Sequence, residues 1–208
     1  MTDTASDTPG PWAVRRGGAI VAGGDGVWPW WSITKTVLAV AVLRLFGHRR
    51  VALDEPTRFH PATLRQLLTH TGGVPSYTRL PEYADAVARR TKAWSTEDLL
   101  NRMAREEDDF PPGNSWAYSN TGYTFVRRAI EEALDDDIAG ALDRLVFDPL
   151  GLSDTALILS ADDGRCALLQ AEQYDPGWVY HGLACGSAGD AVRFLDGVYL
   201  AGFLSAEA

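Results

Sequence analysis

Apolar residues recur along most of this chain at the three- and four-residue spacing of amphipathic helices. The clearest stretch predicts a helix over Thr121–Leu134, with apolar residues at Phe125, Val126, Ala129, Ile130, Ala133 and Leu134. Shorter stretches of the same kind include Leu64–Leu68, Leu99–Met103, Leu142–Val146 and Val192–Val198. Ser95 and Ser187 are each followed three residues later by aspartate, which is typical of a capped helix start.

One predicted helix, Ser32 to Phe46, has a different pattern. From Val37 to Phe46 only Arg44 is not apolar, and Gly47 ends the run. A helix that is apolar nearly all round is buried centrally and does not lie on a surface. We therefore expect this helix to form the centre of the fold.

The N-terminal part predicts a β-hairpin. Residues 12–16 and 19–22 are β-prone and flank Gly17-Gly18, a two-residue turn signal, whereas residues 1–10 are polar and predict a disordered lead. A lone hairpin is marginally stable, and Leu157–Leu159 is the one further short strand candidate. The pattern favours an α+β fold.

These elements predict one domain over residues 11–208. Its parts are a hairpin and loop (11–30), a central helix (31–50) and a helical subdomain (60–205).

Charge narrows the choice of partners. A net charge of −9 over 208 residues argues against a nucleic-acid partner, which would need a basic face. The longest apolar run, Val37–Leu43, is too short to span a membrane, and residues 1–11 have no features of a secretory signal, so a cytoplasmic protein is expected. The four histidines have no ligand spacing, so no metal or other cofactor is expected; a disulfide between Cys166 and Cys185 stays open.

Ser32 and Lys35 are the first candidates for chemistry. Residues three apart share a helix face, and free N–H groups at a helix start favour an oxyanion next to Ser32. A serine needs an adjacent base to become a nucleophile, and a lysine desolvated by apolar neighbours can serve. The alternative is a serine N-cap followed by an exposed first-turn lysine.

The use of basic residues supports the catalytic interpretation. Only Lys35 and Lys92 are lysines among the 19 basic residues. Arginine stays protonated at ordinary pH, so a base role requires a lysine. Lysine is thus rare in this chain, and one of the two lies three residues after a serine.

Tyr118 and Asn120 form a second candidate pair, just after a Pro-Pro-Gly loop. The phenol of Tyr118 can exchange a proton with a leaving group, and Asn120 can hydrogen-bond both a substrate amide and an ammonium. The alternative is a buried aromatic residue followed by an asparagine N-cap.

Five landmarks in order resemble the serine β-lactamase and penicillin-binding protein superfamily, in its class C, carboxypeptidase and esterase branch. They are Trp31-Ser-Ile-Thr-Lys-Thr36, Leu67-Leu-Thr-His-Thr-Gly-Gly73, Pro112-Gly-x-x-Trp-x-Tyr-Ser-Asn-x-Gly-Tyr123, Phe147-Asp-Pro-Leu-Gly-Leu-Ser-Asp-Thr155 and Gly182–Phe194. The resemblance implies an acyl-enzyme hydrolase of amides, lactams or esters. It implies Ser32 as nucleophile, Lys35 as base, Tyr118 as proton shuttle and Asn120 as substrate ligand.

The family's third motif, Lys or His followed by Thr/Ser-Gly, does not follow the last predicted helix. His70-Thr71-Gly72 lies too early, and His181-Gly182 lacks the hydroxyl residue, leaving His181 at most a supporting role. The resemblance thus predicts a sheet that lacks its C-terminal strands, with an uncovered edge open to self-association. A non-catalytic interaction module and a fragment of a longer enzyme stay open as alternatives.

Overall fold

The computed structural model describes residues 12–16, 19–23 and 26–204. Seven short strands lie among them. They are β1 (Trp12–Arg16), β2 (Ala19–Gly23), β3 (Trp28–Pro29), β4 (Pro56–Thr57), β5 (His60–Thr63), β6 (Ala156–Ile158) and β7 (Leu183–Gly186). The disordered lead and the Gly17-Gly18 turn predicted from the sequence lie outside the described residues.

Helices are the most common regular element of the described chain. They are α1 (Ile33–Gly47), α2 (Leu64–Leu68), α3 (Pro81–Ala88), α4 (Thr96–Met103), α5 (Asn120–Leu134), α6 (Ile138–Leu142), α7 (Asp148–Leu150), α8 (Ala167–Ala171) and α9 (Ala188–Tyr199). A π-helical turn over Asp143–Phe147 joins α6 to α7. The serine caps are confirmed, since Ser95 and Ser187 each accept a hydrogen bond from the third residue after them.

The prediction of a central helix is confirmed. Residues on several faces of α1 are buried. They are Thr34, Lys35, Val37, Leu38, Val40, Ala41, Val42 and Leu45. It packs against α5, α6 and β7. At about 25 cal/mol per Å² of apolar surface removed from water, such a helix is a large part of what stabilises the core.

The described chain also contains a three-stranded antiparallel sheet in the order β3-β7-β6. The strand candidate at Leu157–Leu159 is confirmed as β6, which begins one residue earlier, at Ala156. Within it, Leu157 pairs with Ala184 of β7. The predicted helical subdomain (60–205) also contains β5 and β7, and neither strand was predicted. Strand β7 is the central strand of the three-stranded sheet. Its Leu-Ala-Cys-Gly sequence has little β propensity, and burial on both faces decides its conformation.

The predicted hairpin is confirmed, and no third strand pairs with it among the described residues. Helix α9 packs against both of its strands, and Arg15 forms a salt bridge with Asp196 of that helix. Packing on a helix gives a two-stranded hairpin the support it lacks alone. The possible disulfide does not form, since Cys166 and Cys185 are free and buried.

Candidate active site

The start of α1 is held by strand β7. Trp30 N–H donates to Ala184 O at 2.7 Å, and Ala184 N–H donates to Thr34 Oγ1 at 3.0 Å. Trp31, between these anchors, has φ +42°, which is strained for a bulky residue. Ser32 is therefore presented from a sharply turned backbone that β7 fixes on both sides.

Ser32 occupies the N-cap position of α1, but the interpretation that its side chain caps the helix was wrong. Its backbone is helical (φ −70°, ψ −11°), and its side chain makes no capping hydrogen bond. The expectation of free N–H groups also needs correction, because Ile33 N–H and Thr34 N–H already donate to carbonyls of the preceding turn, at 2.8 and 3.0 Å. Among the backbone hydrogen bonds of the described residues, Ser32's own N–H has no acceptor.

The Ser32 hydroxyl meets Tyr118. Ser32 Oγ and Tyr118 OH lie 2.8 Å apart, although 86 positions separate the residues. Tyr118 is 42% exposed, so a ligand can reach the two hydroxyl groups. The alternative of a buried aromatic residue at this position was wrong.

Lys35 is buried and not exposed, which contradicts the other half of the capping alternative. It is 5% exposed, and its Nζ donates to Asn120 Oδ1 at 2.8 Å. The Tyr118 ring centroid lies 4.9 Å from the same nitrogen. Desolvation by burial lowers the pKa of Lys35 from 10.5 to about 8. A useful fraction of this amine is therefore neutral near physiological pH.

Two hydrogen bonds to the hydroxyl of Ser76 orient Asn120. Its backbone N–H and its Nδ2 donate to Ser76 Oγ at 3.2 and 3.3 Å, which leaves Oδ1 to face Lys35. Helix α5 begins at Asn120, and its N-cap is Ser119, whose side chain accepts from Gly122 N–H. The alternative of an N-cap at Asn120 was thus wrong by one residue. The side chain of Asn120 does not cap the helix and can contact Lys35.

His70 lies behind Tyr118. Its ring centroid is 4.5 Å from that of Tyr118, and its Nδ1 accepts from Ser119 N–H at 3.2 Å. Desolvation by burial, with a smaller contribution from the charge of Lys35, lowers the pKa of His70 to about 4. His70 belongs to no strand, which agrees with the prediction that His70-Thr71-Gly72 is not the third motif.

The Leu67–Gly73 landmark carries the loop that leads to Tyr118. Ala117 N–H donates to His70 O at 3.0 Å, and Asp109 N–H donates to Gly73 O at 2.8 Å. Gly73 has φ +76°, and a Cβ there would lie 1.9 Å from Phe110 O. Only glycine allows this approach, so the landmark sets the position of the loop.

The four predicted residues therefore form one linked group: a hydroxyl beside a phenol, and an amine of lowered pKa beside an amide oxygen. This combination suits nucleophilic attack with proton transfer. No cluster of three or more His, Cys, Asp or Glu side chains able to hold a metal ion occurs within 12–16, 19–23 and 26–204.

A comparison with family models decides the affiliation. The model described as Beta-lactamase matches residues 4–207. The chain belongs to the β-lactamase family. The resemblance expected from the five landmarks is confirmed, and so is the α+β fold of β-lactamases and penicillin-binding proteins.

Curated relatives include an esterase and a penicillin-binding protein by name. The chain is 33% identical to esterase EstB of Burkholderia gladioli over 159 residues, covering 66% of this chain and 40% of that protein. It is 28% identical to penicillin-binding protein 4* of Bacillus subtilis, covering 59% of this chain and 26% of that protein. The chain thus spans less than half the length of these two relatives.

A solved structure of the same fold extends this likeness. A D-stereospecific amidohydrolase from Streptomyces sp. superposes with a TM-score of 0.80 at 24% identity, covering 94% of this chain and 69% of that one. At this identity the match shows the fold.

Two residues of the site were missed by sequence reasoning. His181 Nε2 lies 3.2 Å from Lys35 Nζ, and Ser76 orients Asn120. For His181 the sequence indicated at most a supporting role without a partner, and Ser76 carries no motif. No described helix is long and apolar enough to cross a membrane.

Proposed function

We propose that this chain carries the nucleophile, base and proton shuttle of a serine hydrolase that cleaves esters or amides through an acyl-enzyme. The observation that carries the proposal is the 2.8 Å contact between Ser32 Oγ and Tyr118 OH. It supports the proposal because a serine hydroxyl becomes nucleophilic only when a neighbouring group takes its proton.

The proposed proton path starts at the contact between Ser32 and Tyr118 and ends at Lys35, whose Nζ lies 4.9 Å from the centroid of the Tyr118 ring. Ser32 Oγ–H passes its proton to Tyr118 while the phenol proton goes to neutral Lys35, and Ser32 Oγ bonds to the substrate carbonyl carbon. When the tetrahedral intermediate collapses, Tyr118 protonates the leaving group and is reprotonated by the Lys35 ammonium. Water then attacks the acyl-enzyme by the same path in reverse, and the acid is released with Ser32 restored.

The developing oxyanion needs N–H donors. Ser32's own N–H is available for this role among the described residues. The family's third motif would contribute another, and each donor is worth about 10²–10³ in turnover. A non-catalytic module that keeps the site residues is the second candidate, and it would differ from the hydrolase in lacking that donor.

Esters of apolar acids are the substrates we place first. Two curated relatives, EstB and the lovastatin esterase of Penicillium rubens, are esterases by name. A cavity of about 370 Å³ borders Trp31, the residue before Ser32, and part of its wall is apolar, with Leu168, Tyr174 and Trp178; Arg90, Glu172 and Asp175 line the rest. The apolar part of such a wall suits an apolar acyl group.

The second part of this proposal concerns self-association. Trp12, Val14 and Val21 are exposed on the hairpin, and both hairpin strands are sheet edges among the described residues. An exposed apolar edge favours pairing with a second copy. Light scattering after size-exclusion chromatography would show a dimer or larger species, and Val14→Lys would reduce it; a monomer at all concentrations would contradict this part.

A labelling experiment tests the enzymatic function. A fluorophosphonate and a labelled penicillin are each incubated with the 208-residue chain, and the modified peptide is identified by mass spectrometry. We expect one adduct, on Ser32, which Ser32→Ala abolishes and the exposed-serine control Ser153→Ala leaves unchanged. No adduct on folded protein, with no hydrolysis of p-nitrophenyl butyrate, would favour the non-catalytic module.

A further inference from the structure

His181 occupies the position directly behind the candidate base. Its Nε2 lies 3.2 Å from Lys35 Nζ, and the side chain is 2% exposed. The residue ends the turn before β7, where Gly182 N–H donates to Val179 O at 2.7 Å. Gly182 has φ +93°, and a Cβ there would press on the Leu157 side chain at 3.0 Å. The local backbone therefore places an imidazole against Lys35.

Packing alone does not account for a histidine here. Its ring lies edge-on to Tyr123, with centroids 6.2 Å apart, a contact that an apolar side chain would also make. Its Nδ1 is buried and hydrogen-bonds to no group in the described part of the chain. A buried polar atom without a partner is unfavourable, so the other ring nitrogen must make a compensating interaction.

The surroundings of Lys35 show what that interaction is. No carboxylate forms a salt bridge with Lys35 among the described residues. The titratable and charged groups that face the Lys35–His181 pair are Tyr118, Tyr123, His70 and Arg127, none of them anionic at neutral pH. The hydrogen-bond acceptors of the ammonium are therefore neutral, Asn120 Oδ1 and His181 Nε2, and the rings of Tyr118 and Tyr123 add cation–π contacts.

We propose that His181 is a positioning residue for Lys35, holding the amine in place and accepting a hydrogen bond from its ammonium form through Nε2. The inference rests on the proposed function, in which Lys35 becomes an ammonium when it takes the phenol proton of Tyr118. His181 thus stabilises the charge that this step creates and fixes the direction in which the remaining Lys35 proton points.

The protonation state of His181 fits this role. Desolvation by burial, followed by the positive charges of Lys35 and Arg127, lowers the pKa of His181 well below its usual value. The ring therefore stays neutral, and with its proton on Nδ1 its Nε2 lone pair faces Lys35; this tautomer is assigned from the hydrogen-bond network. A neutral ring does not itself titrate in the range where Lys35 does.

The chain allows a direct test because its only lysines are Lys35 and Lys92. Protein labelled with ¹³Cε-lysine gives two side-chain NMR signals, and Lys92→Arg assigns them. The chemical shift of Lys35 is followed against pH in the wild type and in three variants, with circular dichroism to verify folding. His181→Leu removes the acceptor, His181→Asn keeps a polar group too short to reach Lys35, and His181→Gln keeps an acceptor at the distance of Nε2.

We expect the pKa of Lys35 to fall by about one unit in the Leu and Asn variants and to return towards the wild-type value in the Gln variant. The acid limb of Ser32 labelling should shift in the same direction. An unchanged Lys35 pKa in the Asn variant, or a Gln variant that behaves like Asn, would overturn the proposal. If the Leu variant does not fold, the Asn and Gln pair decides.

The two proposals fail in different ways. Absence of fluorophosphonate labelling at Ser32 in the wild type contradicts the proposed hydrolase, yet the NMR titration still measures the effect of His181 on Lys35. Conversely, normal labelling with an unchanged Lys35 pKa in all three variants rejects the role of His181 alone.

Discussion

Lys35 Nζ donates a hydrogen bond of 2.8 Å to Asn120 Oδ1, and this bond joins two motifs that lie 85 positions apart. It links the first turn of the buried helix α1 to the first residue of α5. Because Asn120 is neutral, the bond orients Lys35 without supplying a counter-charge. The low pKa of Lys35 depends on that neutrality.

Replacing Asn120 with aspartate would change this balance. The new carboxylate would lie next to the Lys35 ammonium and favour its charged form, raising the pKa of Lys35 by about 1–3 units. Since the proposed base is the neutral amine, the acid limb of Ser32 labelling by fluorophosphonate should move to higher pH.

The matched control for this charge change is Asn114→Asp, at an exposed position of the same loop region. It should leave the pH profile unchanged. A shift of the Asn120→Asp profile to lower pH would show that the neutral amine is not the required form.

Tyr118→Phe removes only the hydroxyl that contacts Ser32. We expect Ser32 labelling to slow by about 10²–10⁴, the usual contribution of a positioned proton-transfer group. The side chain is 42% exposed, so the thermal midpoint should change little. Tyr199→Phe, at a 68% exposed tyrosine of α9, is the control. Equal labelling rates in the two variants would remove Tyr118 from the mechanism.

Lys35→Met should stabilise the fold while abolishing labelling. The shift in the pKa of Lys35 from 10.5 to about 8 corresponds to roughly 3 kcal/mol of unfavourable burial at pH 7. The acceptors left unpaired on Asn120 and His181 offset part of this, so a net gain of about 1 kcal/mol is expected. Urea unfolding measures it.

The sign of the pH dependence provides a second check on Lys35. Between pH 8 and 10.5 the unfolded lysine holds a proton that the folded one has lost, so wild-type stability from this group rises with pH. The advantage of Lys35→Met should therefore shrink from pH 7 to pH 10. Lys92→Met, at an exposed position, should show neither effect.

His70 makes the protein sensitive to acid. Its pKa is lowered to about 4, chiefly by desolvation, so as pH falls from 6.5 the unfolded state takes up a proton that the folded state does not. Stability is lost over that range. His70→Asn keeps an acceptor for Ser119 N–H and tolerates the φ of +61° at this position.

The thermal midpoint of His70→Asn should therefore fall less than that of the wild type between pH 7 and pH 5. The thermal midpoint of the variant should still decline somewhat towards pH 5, because the pKa of buried His181 is lowered as well. Identical slopes for the two proteins would contradict the contribution of His70.

Local signals in the sequence predicted most of the helices. The capping serines Ser95 and Ser187 and the all-apolar face of Val37–Phe46 act through neighbours within a few residues, so they are readable without the fold. Strand β7 was not, because Leu183–Gly186 becomes a strand only when β3 and β6 lie on either side of it. Its conformation is a consequence of long-range pairing.

The candidate site shows the same difference between local sequence signals and long-range contacts. The sequence by itself determined the candidate side chains, since Ser32, Lys35, Tyr118 and Asn120 stand in short motifs with a chemical reason for each residue type. Only the tertiary structure decided how they pair: Ser32 with Tyr118, and Lys35 with Asn120 and His181. The physical reason is that distances between residues far apart in the chain, and the desolvation that lowers the pKa of Lys35, arise from packing, which a local pattern does not encode.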